Sequence, residues 1–176
     1  PTGVDDRLFA PTVSSEAPAE HKCRVLYYGS YIPNHGTETM IEAAHLLKAH
    51  DDIQFAFIGE GPTKASTTEL ARQYALERVT FIDWLKPPDL LQQIAQADIL
   101  LGVFGRTPQS LMTIQNKIYE GTATKKPIIS GYAPTVAETF AHNVHLVLVE
   151  RANPQALADA ILTLKADPDL RMRIAE

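Results

Sequence analysis

Residues 24–36 read Arg-Val-Leu-Tyr-Tyr-Gly-Ser-Tyr-Ile-Pro-Asn-His-Gly. The first five form a short apolar run that stops at Gly29, which predicts a buried β-strand followed by a tight loop. From Thr37 to His50 the apolar side chains recur at helical spacing, so a helix follows the loop. A strand, a glycine loop and a helix in this order are typical of the first unit of an alternating α/β fold.

The same alternation continues along the rest of the chain. The apolar patterns predict further strands at 52–58, 78–82, 98–104, 127–130 and 145–149, and helices at 66–76, 89–96, 113–124, 153–165 and 167–174. The second, fourth and fifth strands are almost entirely apolar, as expected of strands covered on both faces. We therefore expect an α/β protein with a Rossmann-like, doubly wound parallel sheet of about six strands.

Composition indicates a single domain without a stabilising metal or disulfide. The chain has 176 residues, 45% of them hydrophobic, and a net charge of −5; a domain holds roughly 100–200 residues. Residues 1–22 are rich in Pro, Ser, Thr, Ala and acidic side chains, which predicts a linker or extended arm before a domain at 23–176. The only cysteine, Cys23, excludes an internal disulfide and a Cys-rich zinc site.

Two partner classes are disfavoured by the same numbers. An acidic chain without a basic block argues against non-specific nucleic-acid binding. The longest apolar candidate, 97–104, is interrupted by Asp98 and is far shorter than the roughly 18 residues that a membrane span requires.

Glycine-rich loops follow several predicted strands, at the sheet edge where doubly wound folds bind ligands. They contain Gly29, then Gly59-Glu60-Gly61, then Gly105, and further on Gly131. Such glycines allow the backbone to approach a bound anion closely, and they are equally compatible with ordinary tight turns. The spacing from Gly29 to Gly36 matches neither the dinucleotide-binding fingerprint nor a P-loop, which disfavours a dehydrogenase and a P-loop NTPase.

The chain resembles a known family. Residues 25–36 and the helix after them are similar to the first strand and glycine loop of the C-terminal, donor-binding domain of GT-B glycosyltransferases, above all the retaining group 1 enzymes of family 4. The family's other landmarks occur in order over essentially the whole chain: Pro1-Thr-Gly-Val-Asp5, Phe57-Ile-Gly-Glu-Gly-Pro62, Val79-Thr-Phe81, Ala97-Asp98, Asn116-Lys-Ile-Tyr-Glu120 and Lys126-Pro-Ile-Ile129.

The resemblance implies one half of a two-domain enzyme. In this family the C-terminal domain binds a nucleoside-diphosphate sugar and an N-terminal domain, absent from this chain, binds the acceptor. The resemblance therefore implies that the chain binds a donor but transfers sugar poorly by itself, with catalytic groups partly in the other domain. It also implies a cytoplasmic enzyme of glycan biosynthesis without a tightly bound cofactor, whose contact with the inner face of a membrane, where it occurs, is made through the other half.

Some residue roles carry over and others are altered. Glu120 matches the second Glu of the family's Glu-x7-Glu motif, which binds the ribose hydroxyls of the donor; a carboxylate can accept from both. The first Glu of the motif falls at Met112, which cannot bind a sugar ring in that way. Either sugar recognition differs here, or the neighbouring Thr113 and Gln115 substitute. Pattern alone favours an ordinary solvent-facing helix residue at Glu120, and only the resemblance reverses that preference.

The diphosphate clamp of the family is also altered. Its Gly-Arg and Lys-Gly pairs read Gly29-Ser30 and His35-Gly36 here. An unperturbed imidazole, with a pKa of about 6.5, is only partly charged near neutral pH. Lys117 and Arg106 are candidate replacements for the missing cations, each with solvation as the alternative.

The predicted donor site combines all of these positions. Trp84 follows the third strand, where the family binds the base, and either stacks on it or packs against the protein. The histidines show no convincing metal-ligand spacing with carboxylates, so we predict no protein-held metal. The full set of predicted donor-binding residues is Gly29, Ser30, His35, Gly36, Gly59, Glu60, Gly61, Asp83, Trp84, Met112, Thr113, Asn116, Lys117 and Glu120.

Three other interpretations stay open. A GT-B sugar-nucleotide 2-epimerase would share the nucleotide pocket, and a degenerate donor domain would fit the changes at Ser30, His35 and Met112. A receiver-like phospho-switch, with Asp83 as acceptor, is remote because such a domain needs an acidic pair where Gly29-Ser30 stands and a lysine where Ser130 stands. The residues are compatible with more than one base, sugar, acceptor and oligomeric state.

Overall fold

The computed structural model describes residues 22–175. Six strands form the central layer: β1 (Cys23–Tyr28), β2 (Ile53–Ile58), β3 (Val79–Ile82), β4 (Ile99–Leu101), β5 (Ile128–Gly131) and β6 (Val147–Val149). They pair in the order β3-β2-β1-β4-β5-β6, and every pairing is parallel. The predicted doubly wound α/β sheet is therefore confirmed. The predicted arm at 1–22 lies outside the described residues except for Lys22.

Helices cover both faces of the sheet. They are α1 (Thr37–Leu46), α2 (Lys64–Gln73), α3 (Pro87–Ala95), α4 (Pro108–Met112), α5 (Asn116–Ala123), α6 (Pro134–Thr139), α7 (Pro154–Ala166) and α8 (Pro168–Ala175), with a 3-10 turn at Pro33–His35. One apolar core joins the sheet to α1, α2, α7 and α8, and a second joins it to α3, α5 and α6. Alternate residues of β1 enter opposite cores, Tyr27 the first and Tyr28 the second.

The structure differs from the sequence prediction at four elements, β4, α4, α5 and α6. β4 ends at Leu101: the N–H of Gly102 still donates to the carbonyl of Ile129, but that of Val103 donates to the Ser130 hydroxyl and that of Phe104 to the carbonyl of His35. α5 begins at Asn116, since residues 113–115 include extended backbone, with Thr113 at φ −129°. The short helices α4 and α6 were not predicted. Within residues 22–175 no helix has both the length and the apolarity needed to cross a membrane.

Candidate functional site

The strand order reverses between β1 and β4, and the loops after these two strands pack on each other. Gly36 has φ +63°, and a Cβ there would stand 2.5 Å from the backbone nitrogen of Gly105. The N–H of Phe104 donates to the carbonyl of His35 at 2.9 Å. In doubly wound sheets a crevice for ligands opens at this point. The topology therefore places the candidate site where the loop of residues 29–36 meets α5.

Two predicted site glycines serve close packing of loops. A Cβ on Gly59 (φ +130°) would lie 2.0 Å from the carbonyl oxygen of Gly29, and one on Gly61 (φ +150°) would lie 2.6 Å from the backbone of Tyr31. Both positions require glycine because neighbouring backbone fills the space of a side chain. Gly59 and Gly61 are thus tight-turn residues, and the same close packing builds the loops of the candidate site.

Gly29 faces a side chain instead. It has φ +137°, and a Cβ there would stand 2.9 Å from Nζ of Lys117 and 3.7 Å from Cε1 of His35. Gly29 thus leaves room for two nitrogen-bearing side chains beside the carboxyl end of β1.

Lys117 is the most unusual side chain of the site. It is only 7% exposed, and its Nζ makes no hydrogen bond with any group of residues 22–175. The ammonium lies 4.2 Å from the ring centre of Tyr27 and 5.9 Å from that of Tyr28, so both rings face it as cation–π partners. Burial lowers the pKa of Lys117 to about 7, against the opposing effect of the Glu120 carboxylate.

His35 is buried beside Lys117 and is neutral. Its Nδ1 lies 2.8 Å from the hydroxyl of Tyr27, which in turn donates to the carbonyl of Ser30. Burial, followed by the neighbouring charge of Lys117, lowers the pKa of His35 to about 3. The partial charge that the sequence predicts for this position is therefore absent, and His35 does not replace a missing cation in the ligand-free protein. Ser30 itself is exposed.

Glu120 lies one turn beyond Lys117 on α5 and is half-buried. Burial raises the pKa of its carboxyl above the ordinary range, against a hydrogen bond from Tyr28 and the charge of Lys117. The hydroxyl of Tyr28 also lies 3.4 Å from the carbonyl oxygen of Lys117. Glu120 is thus held in place and is no freely solvated helix residue.

The loops after β2 and β3 present a second group. Lys64 donates to Glu60 and to Asp83, each at 2.7 Å, and so joins the two loops. Trp84 is 65% exposed and lines a small apolar cavity with Tyr28, Gly29, Ile58, Leu85 and Leu90. An aromatic face beside this cavity suits stacking on a planar ring.

The remaining predicted residues lie apart from these clusters. Met112 is 67% exposed at the end of α4, Thr113 donates to the carbonyl of Gln109, and Asn116 is exposed at the first turn of α5. Arg106 is occupied, because its guanidinium donates to the carbonyl of Arg151. Arg106 is therefore not a replacement for the missing cations of the diphosphate clamp.

Four residues that shape the candidate site were not predicted from the sequence. Tyr27 and Tyr28 form the aromatic surroundings of Lys117; they end the first strand on alternate faces, and that alternation was readable. Lys64 stands four residues after Glu60, a spacing that indicates a helical ion pair. Arg151 is 5% exposed and donates to carbonyls of Gly105, Ser110 and Tyr132, joining three loops; no local pattern indicates this role.

No group of three or more His, Cys, Asp or Glu side chains is arranged to hold a metal ion anywhere in residues 22–175. Cationic side chains and helix N-termini are sources of positive potential for an anionic ligand at this edge of the sheet.

Comparison with known proteins identifies relatives along almost the whole chain. The family model of the glycosyl transferases of group 1 matches residues 22–167. The chain is 25% identical over 180 residues to the GDP-mannose-dependent alpha-(1-6)-phosphatidylinositol monomannoside mannosyltransferase of Mycobacterium tuberculosis, covering 96% of this chain and 46% of that protein. It is 26% identical over 154 residues to the alpha-D-kanosaminyltransferase of Streptomyces kanamyceticus, covering 86% and 39%.

Solved structures share the fold. The C-terminal domain of a glycosyl transferase group 1 family protein (LpcC) from Francisella tularensis superimposes with a TM-score of 0.80 at 24% identity, covering 99% of this chain and 93% of that one. Anabaena Alr3699/HepE in complex with UDP and glucose gives 0.81 at 19% identity, covering 99% and 48%. The chain spans about half the length of the curated relatives it matches.

Proposed function

Because this chain belongs to the glycosyl transferases of group 1, we propose that it binds the nucleoside-diphosphate sugar from which a retaining enzyme transfers the sugar. The observation that carries the proposal is Lys117, a buried side chain whose Nζ has no hydrogen-bond partner among residues 22–175 and lies beside the loop at Gly29. A buried cation of this kind is costly unless an anion pairs with it. The diphosphate of a nucleotide sugar is such an anion.

The other parts of a donor are matched by neighbouring residues. Glu120 accepts hydrogen bonds from the ribose hydroxyls, as the family resemblance implies, and Tyr28 orients its carboxyl. Trp84 stacks on the base at the cavity that it lines with Leu85 and Leu90. The N-terminus of α1, which begins at Thr37, adds positive potential near the phosphates.

The names of relatives support a nucleotide sugar without selecting one. The Mycobacterium tuberculosis relative is described as GDP-mannose-dependent, whereas the Anabaena structure contains UDP and glucose. We therefore propose the class of donor, a nucleoside-diphosphate sugar, and leave its base and sugar to the titration below.

In the proposed reaction the bond between the anomeric carbon and the diphosphate breaks, and a bond to an acceptor oxygen forms. Lys117 stabilises the negative charge that develops on the leaving diphosphate, a role that needs no protein-held metal. We propose that an N-terminal half binds the acceptor and completes the cleft, since the chain spans about half the length of its relatives. Alone, residues 23–176 then bind the donor with little transfer.

Titration of the chain with UDP, GDP and ADP tests the proposal. We expect saturable binding of one nucleotide, weakened at least about tenfold, or roughly 1.4 kcal/mol, in Lys117→Met and in Glu120→Ala. Lys125→Met is the matched control, because Lys125 is exposed and precedes β5 at the opposite edge of the sheet. Calorimetry measures affinity, and circular dichroism checks that each variant is folded.

The alternatives give different results. Wild-type affinity in both site variants would overturn the proposed site. Binding of none of the three nucleotides, either to this chain or to a protein that includes the N-terminal half, would favour a degenerate domain. Nucleotide binding with conversion of the sugar nucleotide to its 2-epimer, in the protein that includes both halves, would favour the epimerase.

A further inference from the structure

The surroundings of Lys117 are unusual for a permanently charged lysine. From β1, Tyr27 and Tyr28 face it with their rings, and from the 3-10 turn the neutral His35 lies beside it. On its own helix the facing titratable group is Glu120, whose pKa is itself raised by burial. The pocket thus holds aromatic rings, a neutral imidazole and one carboxyl that also tends toward its neutral form.

No group of residues 22–175 accepts a hydrogen bond from Nζ, so without a ligand the cost of burying a charge outweighs the attraction of the two rings for an ammonium. The pKa of Lys117 is lowered to about 7 by burial, so the amine has lost most of its protons by pH 8. A diphosphate changes this balance, because two negative charges close to Nζ favour the ammonium form. The added proton gives Nζ a third N–H with which to donate to phosphate oxygens.

We infer that Lys117 takes up a proton from solvent when the diphosphate of the donor binds, so that donor binding is coupled to protonation of this one side chain. The inference rests on the proposed function and extends it from where the donor binds to how binding responds to pH. The step is an acid–base reaction only: the amine of Lys117 and a proton give the ammonium, and no covalent bond to the ligand forms.

The other titratable neighbours do not account for this uptake. His35 has a pKa of about 3, so it would have to shift by about five units to be protonated at pH 8. Tyr27 and Tyr28 have pKa values raised by burial and hold their protons already. Glu120 is the remaining group, and a variant at Lys117 separates its contribution.

Calorimetric titration with a sugar nucleotide in two buffers measures the proton directly. The probes are UDP-glucose and GDP-mannose, because both phosphates of each are diesters that hold no proton near neutral pH. At pH 8.0 the apparent binding enthalpy of the wild-type chain should differ between Tris and EPPS, which release protons with different heats. That difference, divided by the difference between the ionisation heats of the two buffers, should correspond to the uptake of nearly one proton per site. Affinity should fall about tenfold from pH 8 to pH 9, as linkage requires when only the protonated form binds.

Lys117→Arg is the decisive variant, because a guanidinium keeps its proton throughout this range. We expect it to bind with equal enthalpies in the two buffers and with affinity independent of pH from 7 to 9. Lys125→Met, the exposed control, should retain the wild-type proton uptake.

Each outcome decides the matter. Equal enthalpies for the wild type in the two buffers, together with saturable binding, would overturn the inference and leave the proposed function standing. Proton uptake that persists in Lys117→Arg would assign the proton to Glu120 or His35 and would also overturn it. If neither of these nor an ADP-sugar binds saturably between pH 6.5 and 9, either to this chain or to a protein that includes the N-terminal half, the proposed function and the inference are overturned together. The wild-type measurement requires no variant, so it can overturn the inference even if Lys117→Arg does not fold.

Discussion

Burial of the imidazole beside Tyr27 and Lys117 determines the charge of His35. Nδ1 is 2.8 Å from the Tyr27 oxygen, and the only hydroxyl proton of Tyr27 points to the carbonyl of Ser30. A neutral ring that carries its proton on Nδ1 and donates it to the Tyr27 oxygen satisfies both contacts. A second proton on this ring would place a charge in the pocket that holds Lys117, and the pKa of His35 is accordingly about 3.

This low pKa predicts instability in acid. The imidazole has a pKa of about 6.5 in an unfolded chain, so between pH 6.5 and 3 the unfolded state binds the additional proton. Stability from His35 is thus present above pH 6.5 and is lost as pH falls, by about 1.4 kcal/mol per pH unit. We expect His35→Gln to reduce the loss of unfolding free energy between pH 6.5 and 5 by about 2 kcal/mol.

Urea denaturation of both proteins at the two pH values measures the difference. Hydrogen bonds from lysines lower the pKa values of Asp52 and Asp83. The stability that these two carboxylates contribute is therefore also lost as pH falls. These carboxylates are present in both proteins, so the comparison isolates His35. Parallel losses in wild type and variant would contradict the assignment.

Residue types at the site were predictable from the sequence, but their protonation was not. His35, Lys117 and Glu120 were expected at the site because the loop and the helix that contain them resemble the donor-binding motifs of the family. Their charges depend on how deeply β1 and α5 bury them against Tyr27 and Tyr28, and a linear pattern does not express this three-dimensional packing. Whether these residues bind a donor stays a prediction.

At the scale of elements, α7 has the clearest local signal. Its first helical residue is Pro154, and the Asn153 side chain accepts a hydrogen bond from the N–H of Ala156 at 3.0 Å. The helix is 13 residues long and packs its Leu157, Ile161 and Leu164 into the core shared with α1. Cap and core-facing side chains thus act on the same helix.

Asn153→Ala should lower the free energy of unfolding by about 1 kcal/mol, because an N-terminal N–H of α7 loses its acceptor. Asn153→Ser is the matched control, since serine caps about as well as asparagine. Chemical denaturation of the three proteins measures the effect. Equal losses in the two variants would show that the hydrogen bond from Asn153 to Glu150, and not the cap, is the stabilising contact.

Elements missed by the prediction are short or irregular. α4 has five residues and α6 has six, too few for a helical repeat to stand out. Each nevertheless begins with proline, and Thr107 caps α4 by accepting from the N–H of Ser110, so helix-start signals were present. The early end of β4 depends on the Ser130 hydroxyl and the His35 carbonyl, which are distant in sequence.

For the molecule as a whole, the two cores share one sheet. Every second residue of β1 belongs to the opposite core, so neither core can be lost while the strand stays in place. Domains of this size with a shared core usually unfold in one step. The alternation of apolar strands and amphipathic helices was sufficient to predict this architecture, because burial on both faces leaves a strong periodic pattern.

Reactivity of Cys23 tests this cooperativity. The thiol is buried at the start of β1, and burial raises its pKa to about 11, which suppresses the reactive thiolate. We expect labelling of this single cysteine in rising urea to follow the loss of circular dichroism with the same midpoint. Labelling at clearly lower urea, while the helical signal persists, would indicate that the region around Cys23 opens as a separate unit.

The meeting of β1 with β4 also has a consequence for synthesis. Ser30 and His35 leave the ribosome before Lys117 and Glu120, which follow only after α1 and the elements from β2 to α4 have been made. At ordinary translation rates the interval between Ser30 and Glu120 is roughly 5–20 s. Until β4 is made, the strand that ends in Tyr27 and Tyr28 has only β2 as a sheet neighbour, and α5 follows later still. The nascent chain therefore acquires the complete candidate site in a single late event, when α5 emerges and packs beside Gly29.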